Sequence, residues 1–158
     1  MSNVELVRKT VEQINAGDLD GARQVWTDAS VVRFPDRTCH GPDEIATYFA
    51  EKRAAVEGFY LEILSAVGED EDVFLQWRLT GRHVGPLVGV AGTGRPLEVD
   101  GLDHFVVRDG VVVSNFVVFD QMQFARQVGL LPPDGTRADR VLKAAFNART
   151  KLLGRLRR

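Results

Sequence analysis

The stretch from Gly101 to Asp120, reading GLDHFVVRDGVVVSNFVVFD, constrains this chain more than any other. Two apolar segments rich in Val and Phe flank Asp109-Gly110, a pair that predicts a hairpin turn because glycine tolerates positive φ. Inside this hairpin sits the carboxylate of Asp103. A charged group among Phe and Val must be paired, face water, or occupy a pocket with a shifted pKa, because an isolated buried charge is costly. The third case makes Asp103 the centre of an enzyme or ligand-binding site. The plainer alternative is a buried carboxylate satisfied by Arg78 or Asn115.

The direction of Asp103 depends on the turn. A two-residue Asp109-Gly110 turn places it on the face of Phe116 and Val118. A three-residue turn, Arg108-Asp109-Gly110 with a glycine bulge, places it with Asn115, Val117 and Phe119. His104 then points to the opposite face.

At 158 residues the chain can bury roughly two thirds of its unfolded surface, enough for one core without a staple. Its 44% hydrophobic and 27% charged residues are ordinary globular values. Cys39 is the single cysteine, which leaves no internal disulfide and fits a reducing cytoplasm. Charges begin at Glu5 and no apolar run approaches ~18 residues, which argues against a signal peptide and a membrane span. The three histidines and Cys39 show no metal-ligand spacing, and the Gly-rich loop Gly85–Gly94 lacks a Walker ending. No metal, phosphate or other cofactor is expected.

The overall charge of −2 hides an asymmetry. From Asp134 onward, Arg137, Arg140, Lys143, Arg149, Lys151, Arg155, Arg157 and Arg158 outweigh Asp134 and Asp139 for a net +6, which leaves −8 on the rest. Such a chain tends to attract itself or its copies.

Val4, Val7, Val11 and Ile14 recur at helical spacing and Gly17 ends that helix. Asp18 can cap a second helix running to about Trp26. Val31–Phe34 reads as a short strand stopped by Pro35. Pro42 opens a third helix with Asp43 and Glu44 in its first turn, where the helix dipole favours acids. After Gly58 the period becomes two: Leu61, Ile63 and Val67 mark one strand, and Val73, Leu75, Trp77 and Leu79 the next. Asp120 can cap a short helix ending near Gly129, and Pro132-Pro133 marks a boundary. The predicted division is a domain over 1–132 and a basic amphipathic helix over 133–158, with Leu142, Phe146, Leu152, Leu153 and Leu156 on its apolar face. Docking of that helix through Leu142, Phe146 and Leu153 is the expected outcome, with contact to an anionic membrane surface as the next alternative. Nucleic acid is disfavoured, since Phe146 is the tail's single aromatic residue. The element order predicts an α+β fold: a curved antiparallel sheet with helices on its concave face, forming a cone with an apolar pocket.

Several segments resemble the SnoaL-like polyketide cyclase group of the nuclear transport factor 2-like superfamily. They are Ile14-Asn-Ala-Gly-Asp18, Gly41-Pro-Asp-Glu-Ile45, Gly81-Arg-His83-Val-Gly85 through Thr93-Gly-Arg95, Gly101-Leu-Asp-His-Phe105, and Phe119-Asp-Gln121 with Gln127-Val-Gly129. The resemblance covers about residues 3–131 and implies the cone fold, a hydrophobic small-molecule substrate and catalysis without a cofactor. It pairs Asp103 with Val117, which favours the bulged hairpin. The cyclase group carries its catalytic Asp in the column of Val117 and its His in the column of Asp103. Isomerases of the superfamily place an oxyanion Asp where Asp103 falls, a Tyr at Thr10 and a base at Phe34. Epoxide hydrolases of the superfamily need an Arg-x-Asp where Arg78-Leu79-Thr80 stands. The active sites of these relatives are therefore incomplete here.

The candidate acid–base residues are Asp103, His83 (from the Gly-x-His segment) and Asp120, the last also the simplest helix cap. The expected lining residues are Trp26, Phe34, Tyr48, Phe49, Trp77, Arg78, Phe105, Asn115, Val117 and Phe119, although aromatic residues at these spacings also suit an ordinary core. The reaction expected is acid–base cyclisation, isomerisation or dehydration of an apolar polycyclic carbonyl compound. The alternatives are a non-catalytic binding protein for such a ligand and an assembly module using the basic tail. Apolar residues on the outer sheet face, Leu102, Val106, Val112, Phe116 and Val118, predict a homodimer.

Overall fold

The computed structural model describes residues 1–156; Arg157 and Arg158, counted above in the basic tail, lie outside the described residues, as does the side chain of Leu156. Helix α1 (Asn3–Ala16) opens with a reciprocal cap, Ser2 Oγ accepting from the Glu5 amide while the Glu5 carboxylate accepts from Ser2 N–H. It closes at Gly17 with φ 79°, a left-handed conformation that glycine adopts without strain. Asp18 accepts from the Gly21 amide at 2.9 Å and caps α2 (Leu19–Ala22). That helix is shorter than expected, since Arg23–Val25 tighten into a 3-10 turn. Helix α3 (Gly41–Ala55) carries Pro42, Asp43 and Glu44 in its first turn as predicted.

The strands are β1 (Val31–Arg33), β2 (Thr38–His40), β3 (Val56–Glu69), β4 (Asp72–His83), β5 (Pro96–Arg108) and β6 (Val111–Phe119). Strand β2 has no counterpart in the sequence reading, because three residues are too few for a period-two pattern to register. The six strands form one sheet in the order β2-β1-β6-β5-β4-β3. All neighbours are antiparallel except β1 and β6, which run parallel and make the sheet mixed. The sheet is not closed. Helix α1 lies against β3 and β4, and α3 against β2 and β3, so the helices cover one face. Val7, Val32, Ile45, Val73, Leu75 and Val107 form the tightest part of the core between them.

Residues 1–120 form one compact unit and the residues from Gln121, beginning with α4 (Gln121–Gln127), a second. Helix α5 (Arg137–Leu156) follows. Near its start Asp139 accepts from Lys143 at 2.7 Å, the Gly135 amide at 3.1 Å and Arg126 at 3.3 Å. The Lys143 bond above all holds its carboxyl down at about 2. Leu142, Phe146 and Leu153, expected to dock the helix, are 47%, 65% and 43% exposed. Among the described residues no helix is long and apolar enough to cross a membrane.

The β5–β6 hairpin decides which side chains meet. Asp109 and Gly110 have φ of 49° and 75°, and Arg108 pairs with Val111, so the turn has two residues. Val107 pairs with Val112 but Val106 with Ser114, which leaves Val113 as an extra residue. This β-bulge restores the pairing of Asp103 with Val117. The expected partner is correct, but the extra residue sits in the strand and not in the turn. As a consequence Val112 is buried, 1% exposed, and leaves the outer face where it was expected. A bulge between Ile63 and Ser65 likewise turns Ala66 inward and leaves Val67 exposed.

Deleting Val113 should remove the bulge yet keep Asp103 opposite Val117, because Val112 then joins Ser114 directly and the alternation of faces is preserved. Carboxyl NMR titration checks this; an Asp103 midpoint that leaves its value of about 6 in the deletion variant would show that the bulge does more than set the register.

Candidate active site

Strand alternation turns Leu97, Val99, Gly101, Asp103, Phe105 and Val107 of β5 toward the helix-covered face. The same face receives Val73, Leu75 and Trp77 of β4 and Asn115, Val117 and Phe119 of β6. Gly101 lies opposite Trp77, and Asp103 opposite Leu75 on one side and Val117 on the other. A Cβ at position 101 would fall 2.1 Å from Trp77 Cζ2, so the indole occupies the space that the glycine leaves free. From there Trp77 Nε1 donates to Asp103 Oδ1 at 2.8 Å, and Asn115 Nδ2 donates to Asp103 Oδ2 at 3.1 Å.

Burial raises the Asp103 carboxyl to about 6, against the pull of these two donors, which favour the charged form. Both donors are neutral, and among the described residues no cation pairs with the carboxylate to bring the value down. The side chain is nonetheless only part-buried and keeps some surface open. Asn115 is 5% exposed and its Oδ1 meets no donor among the described residues; Trp26, 7% exposed, has an Nε1 that meets no acceptor among them.

The aromatic residues near the narrow edge of the sheet pack on one another. Trp26 stacks on Phe49 with centroids 6.3 Å apart, and Phe34 stacks on Tyr48 and meets Phe49 edge-on at 5.7 Å. The Tyr48 hydroxyl donates to Asp36 at 2.9 Å, and Lys52 donates to the same carboxylate at 2.9 Å. Burial works against the Asp36 charge, but Lys52 and Tyr48 outweigh it and hold its carboxyl below the usual range. Burial also pushes the Tyr48 hydroxyl above its ordinary value, so Tyr48 stays neutral.

Three expected site residues lie elsewhere. Arg78 neighbours Trp77 on β4 and so takes the opposite face, where it donates to Asp100 at 2.7 and 3.3 Å. Adjacent residues of one strand cannot line the same pocket, so Arg78 leaves the lining. His83 ends β4, about eight residues beyond the partner of Asp103, a separation on the order of 25 Å along the strand. It is fully buried, not solvated in the loop, with Nδ1 3.1 Å from Thr93 Oγ1. Asp120 is exposed at the end of β6, its N–H donating to the Asp100 carbonyl at 3.1 Å. Thr10, in the isomerase tyrosine column, donates to the Leu6 carbonyl of its own helix at 2.9 Å. His104 takes the outer face as expected, stacked on Phe74 at 4.4 Å and bonded to Asp72 at 2.6 Å. Gly101 escaped the sequence reading, although one glycine inside a strand of bulky residues signals a close approach.

An open α+β sheet with helices on one face, and with Asp103, Trp77 and Asn115 bonded together on that face, has the fold of the nuclear transport factor 2-like class. Within it, the chain belongs to the SnoaL-like polyketide cyclase family, whose sequence model matches residues 4–128. Solved structures share the fold. TsrD from Streptomyces laurentii superposes with a TM-score of 0.73 at 22% identity, covering 83% of this chain and 100% of its own. AclR from Streptomyces galilaeus, proposed as a hydroxylase, gives 0.70 at 24% identity over 81% and 96%. IdmH from Streptomyces antibioticus, proposed as a polyketide cyclase, gives 0.68 at 22% identity over 79% and 96%. Comparison with curated proteins gives no significant match.

Gly101→Ala should expel the Trp77 indole from its place and so remove one of the two donors that favour the Asp103 charge. The Asp103 midpoint should rise above its value of about 6, and stability should fall by ~1–3 kcal/mol from overpacking. Carboxyl NMR titration with urea unfolding measures both; an unmoved midpoint would show that Trp77 does not set it.

Proposed function

We propose that this protein is a cofactor-independent acid–base enzyme in which Asp103 moves a proton on an apolar, polycyclic carbonyl compound during cyclisation, isomerisation or dehydration. The observation that carries this reading is a single carboxylate on an apolar, covered sheet face, bonded to Trp77 and Asn115 and titrating at about 6. A group that ionises near neutrality can both accept and return a proton. The ionised Asp103 takes a proton from the carbon next to the carbonyl; the C–H pair becomes a C=C bond and the carbonyl π pair moves to oxygen. Return of the proton at another carbon isomerises the compound, and attack of the enolate carbon on a second carbonyl closes a ring. Phe105, Val117 and Phe119 supply apolar contact, and the unpartnered Trp26 N–H suits a ligand oxygen. His83 and Asp120 lie outside this reading. Free Cys39 fits a reducing compartment such as the cytoplasm.

Exchange of the α-protons of 2-tetralone in deuterated water tests the proton step with a defined ketone. The rate should rise with pH through about 6, where Asp103 ionises, and Asp103→Asn should lower it at least ~100-fold. Exchange equal to wild type in that variant would reduce the protein to a ligand carrier. The same substitution reports on stability. Because Asp103 is raised from 3.8 to about 6 in the fold, its proton stabilises the protein below pH ~4 and that contribution is lost as pH climbs to ~6. Asp103→Asn should therefore gain up to ~3 kcal/mol relative to wild type on going from pH 4 to pH 8. A constant difference in urea unfolding across that range would contradict the burial argument.

We further propose a homodimer through the outer sheet face. Leu102, Phe116, Val118 and Phe74 are 52%, 44%, 40% and 51% exposed there, an apolar area of the kind that marks an interface. Light scattering should give twice the 17.5 kDa chain mass, and Phe116→Glu should give the monomer. A wild-type monomer at micromolar concentration would contradict this.

A further inference from the structure

The Asn115 side chain is buried and carries one satisfied and one unsatisfied group on the same amide. Its Nδ2 donates to Asp103 Oδ2, while its Oδ1 meets no donor among the described residues. Buried amide oxygens without a partner are uncommon and costly. Trp77 adds a second constraint. Its indole N–H can only donate, so Asp103 Oδ1 must remain an acceptor and a proton on the carboxyl resides on Oδ2, the oxygen facing Asn115. Once Oδ2 is protonated, two donors confront each other across 3.1 Å. A half-turn of the amide resolves this: Oδ1 then accepts from the new Oδ2–H, and Nδ2 takes the place of the unpartnered oxygen.

We propose that Asn115 is the specificity-determining residue of this site and selects an enolisable hydroxy- or keto-compound, offering Oδ1 to a ligand hydroxyl while Asp103 is ionised and Nδ2 to a ligand carbonyl or enolate oxygen once Asp103 is protonated. The inference rests on the acid–base reading of Asp103 and adds the ligand group held beside it. It couples two events of the proton step. The proton leaves carbon for Asp103 Oδ2 as the electron pair moves onto the carbonyl oxygen, and the turned amide presents an N–H to that oxygen. The donor therefore arrives as the negative charge forms, which is when it lowers the barrier.

Few other groups can interfere. Among the described residues of 1–120, the ionisable side chains buried with the site are Tyr48 and Cys39, with His83 at the far end of β4. Tyr48 is bonded to Asp36, and burial raises both the Tyr48 hydroxyl and the Cys39 thiol, so each stays neutral near pH 7. The facing residues of β4 and β6, Leu75, Trp77, Val117 and Phe119, do not titrate there. The charged groups nearest in sequence on these strands, Arg78 and His104, occupy the other face.

The experiment has a ligand-free arm and a probe arm. In wild-type protein, the two Nδ2 proton resonances of Asn115 should exchange environments with the same pH midpoint as the Asp103 carboxyl, and this transition should vanish in Asp103→Asn. Amide resonances that ignore the Asp103 midpoint would overturn the proposal. For the probe arm, 2-naphthol and 2-methoxynaphthalene differ by one hydroxyl donor. At pH 8 wild type should favour 2-naphthol by at least ~10-fold, the value of one well-placed hydrogen bond. Asn115→Leu, of similar size without polar groups, should bring the ratio within twofold, and a retained preference would overturn the assignment. The failure of the underlying reading is separate: unchanged tetralone exchange in Asp103→Asn removes catalysis by Asp103 but leaves hydroxyl selection by Asn115 standing.

Discussion

A carboxylate held by two neutral donors on an apolar sheet face sets the character of this molecule. Asp36, Asp100 and Asp139 each have a cation beside them, Lys52, Arg78 and Lys143 respectively, and each titrates below its ordinary value. Asp103 has Trp77 and Asn115 instead. Neutral donors hold its geometry without supplying a countercharge, so desolvation prevails and the carboxyl rises. Position and pKa thus come from different sources: hydrogen bonds supply the first and burial the second.

That arrangement depends on two small departures from a regular sheet. Gly101 leaves room for an indole that any side chain would displace. Val113 adds one residue to β6, and this single insertion brings Asn115 and Val117 to the covered face and sends Phe116 and Val118 to the other. Neither residue has chemistry of its own. Both act by deciding which neighbours Asp103 meets.

The family and the fold leave the reaction open. Neighbours proposed as a hydroxylase and as a cyclase superpose about equally well on this chain, as expected when function resides in side chains placed on a shared frame. Here Val117 faces Asp103 where the resemblance would put a second acid, and the Thr10 hydroxyl is spent on its own helix. The chemistry proposed here is that of one carboxylate and the amide and indole beside it.

Much of this was legible in the sequence because it depends on short-range rules. Helix spacing and caps located α1 and α3, period two located the long strands, and an acid among Val and Phe singled out Asp103. Even the exclusion of Arg78 follows from alternation, since Trp77 beside it already faces inward. The tertiary structure alone decided the rest. The parallel pairing of β1 with β6 joins segments some eighty residues apart, and nothing local specifies it. The bulge at Val113 has no glycine or proline to announce it, because it is selected by the fit of one strand to its neighbour. The bonds from Trp77 and Asn115 run diagonally across strands, so they exist only once both registers are set. A sequence records which groups can hydrogen-bond; which of them share one face depends on pairings between distant segments, and those are fixed by packing the whole sheet.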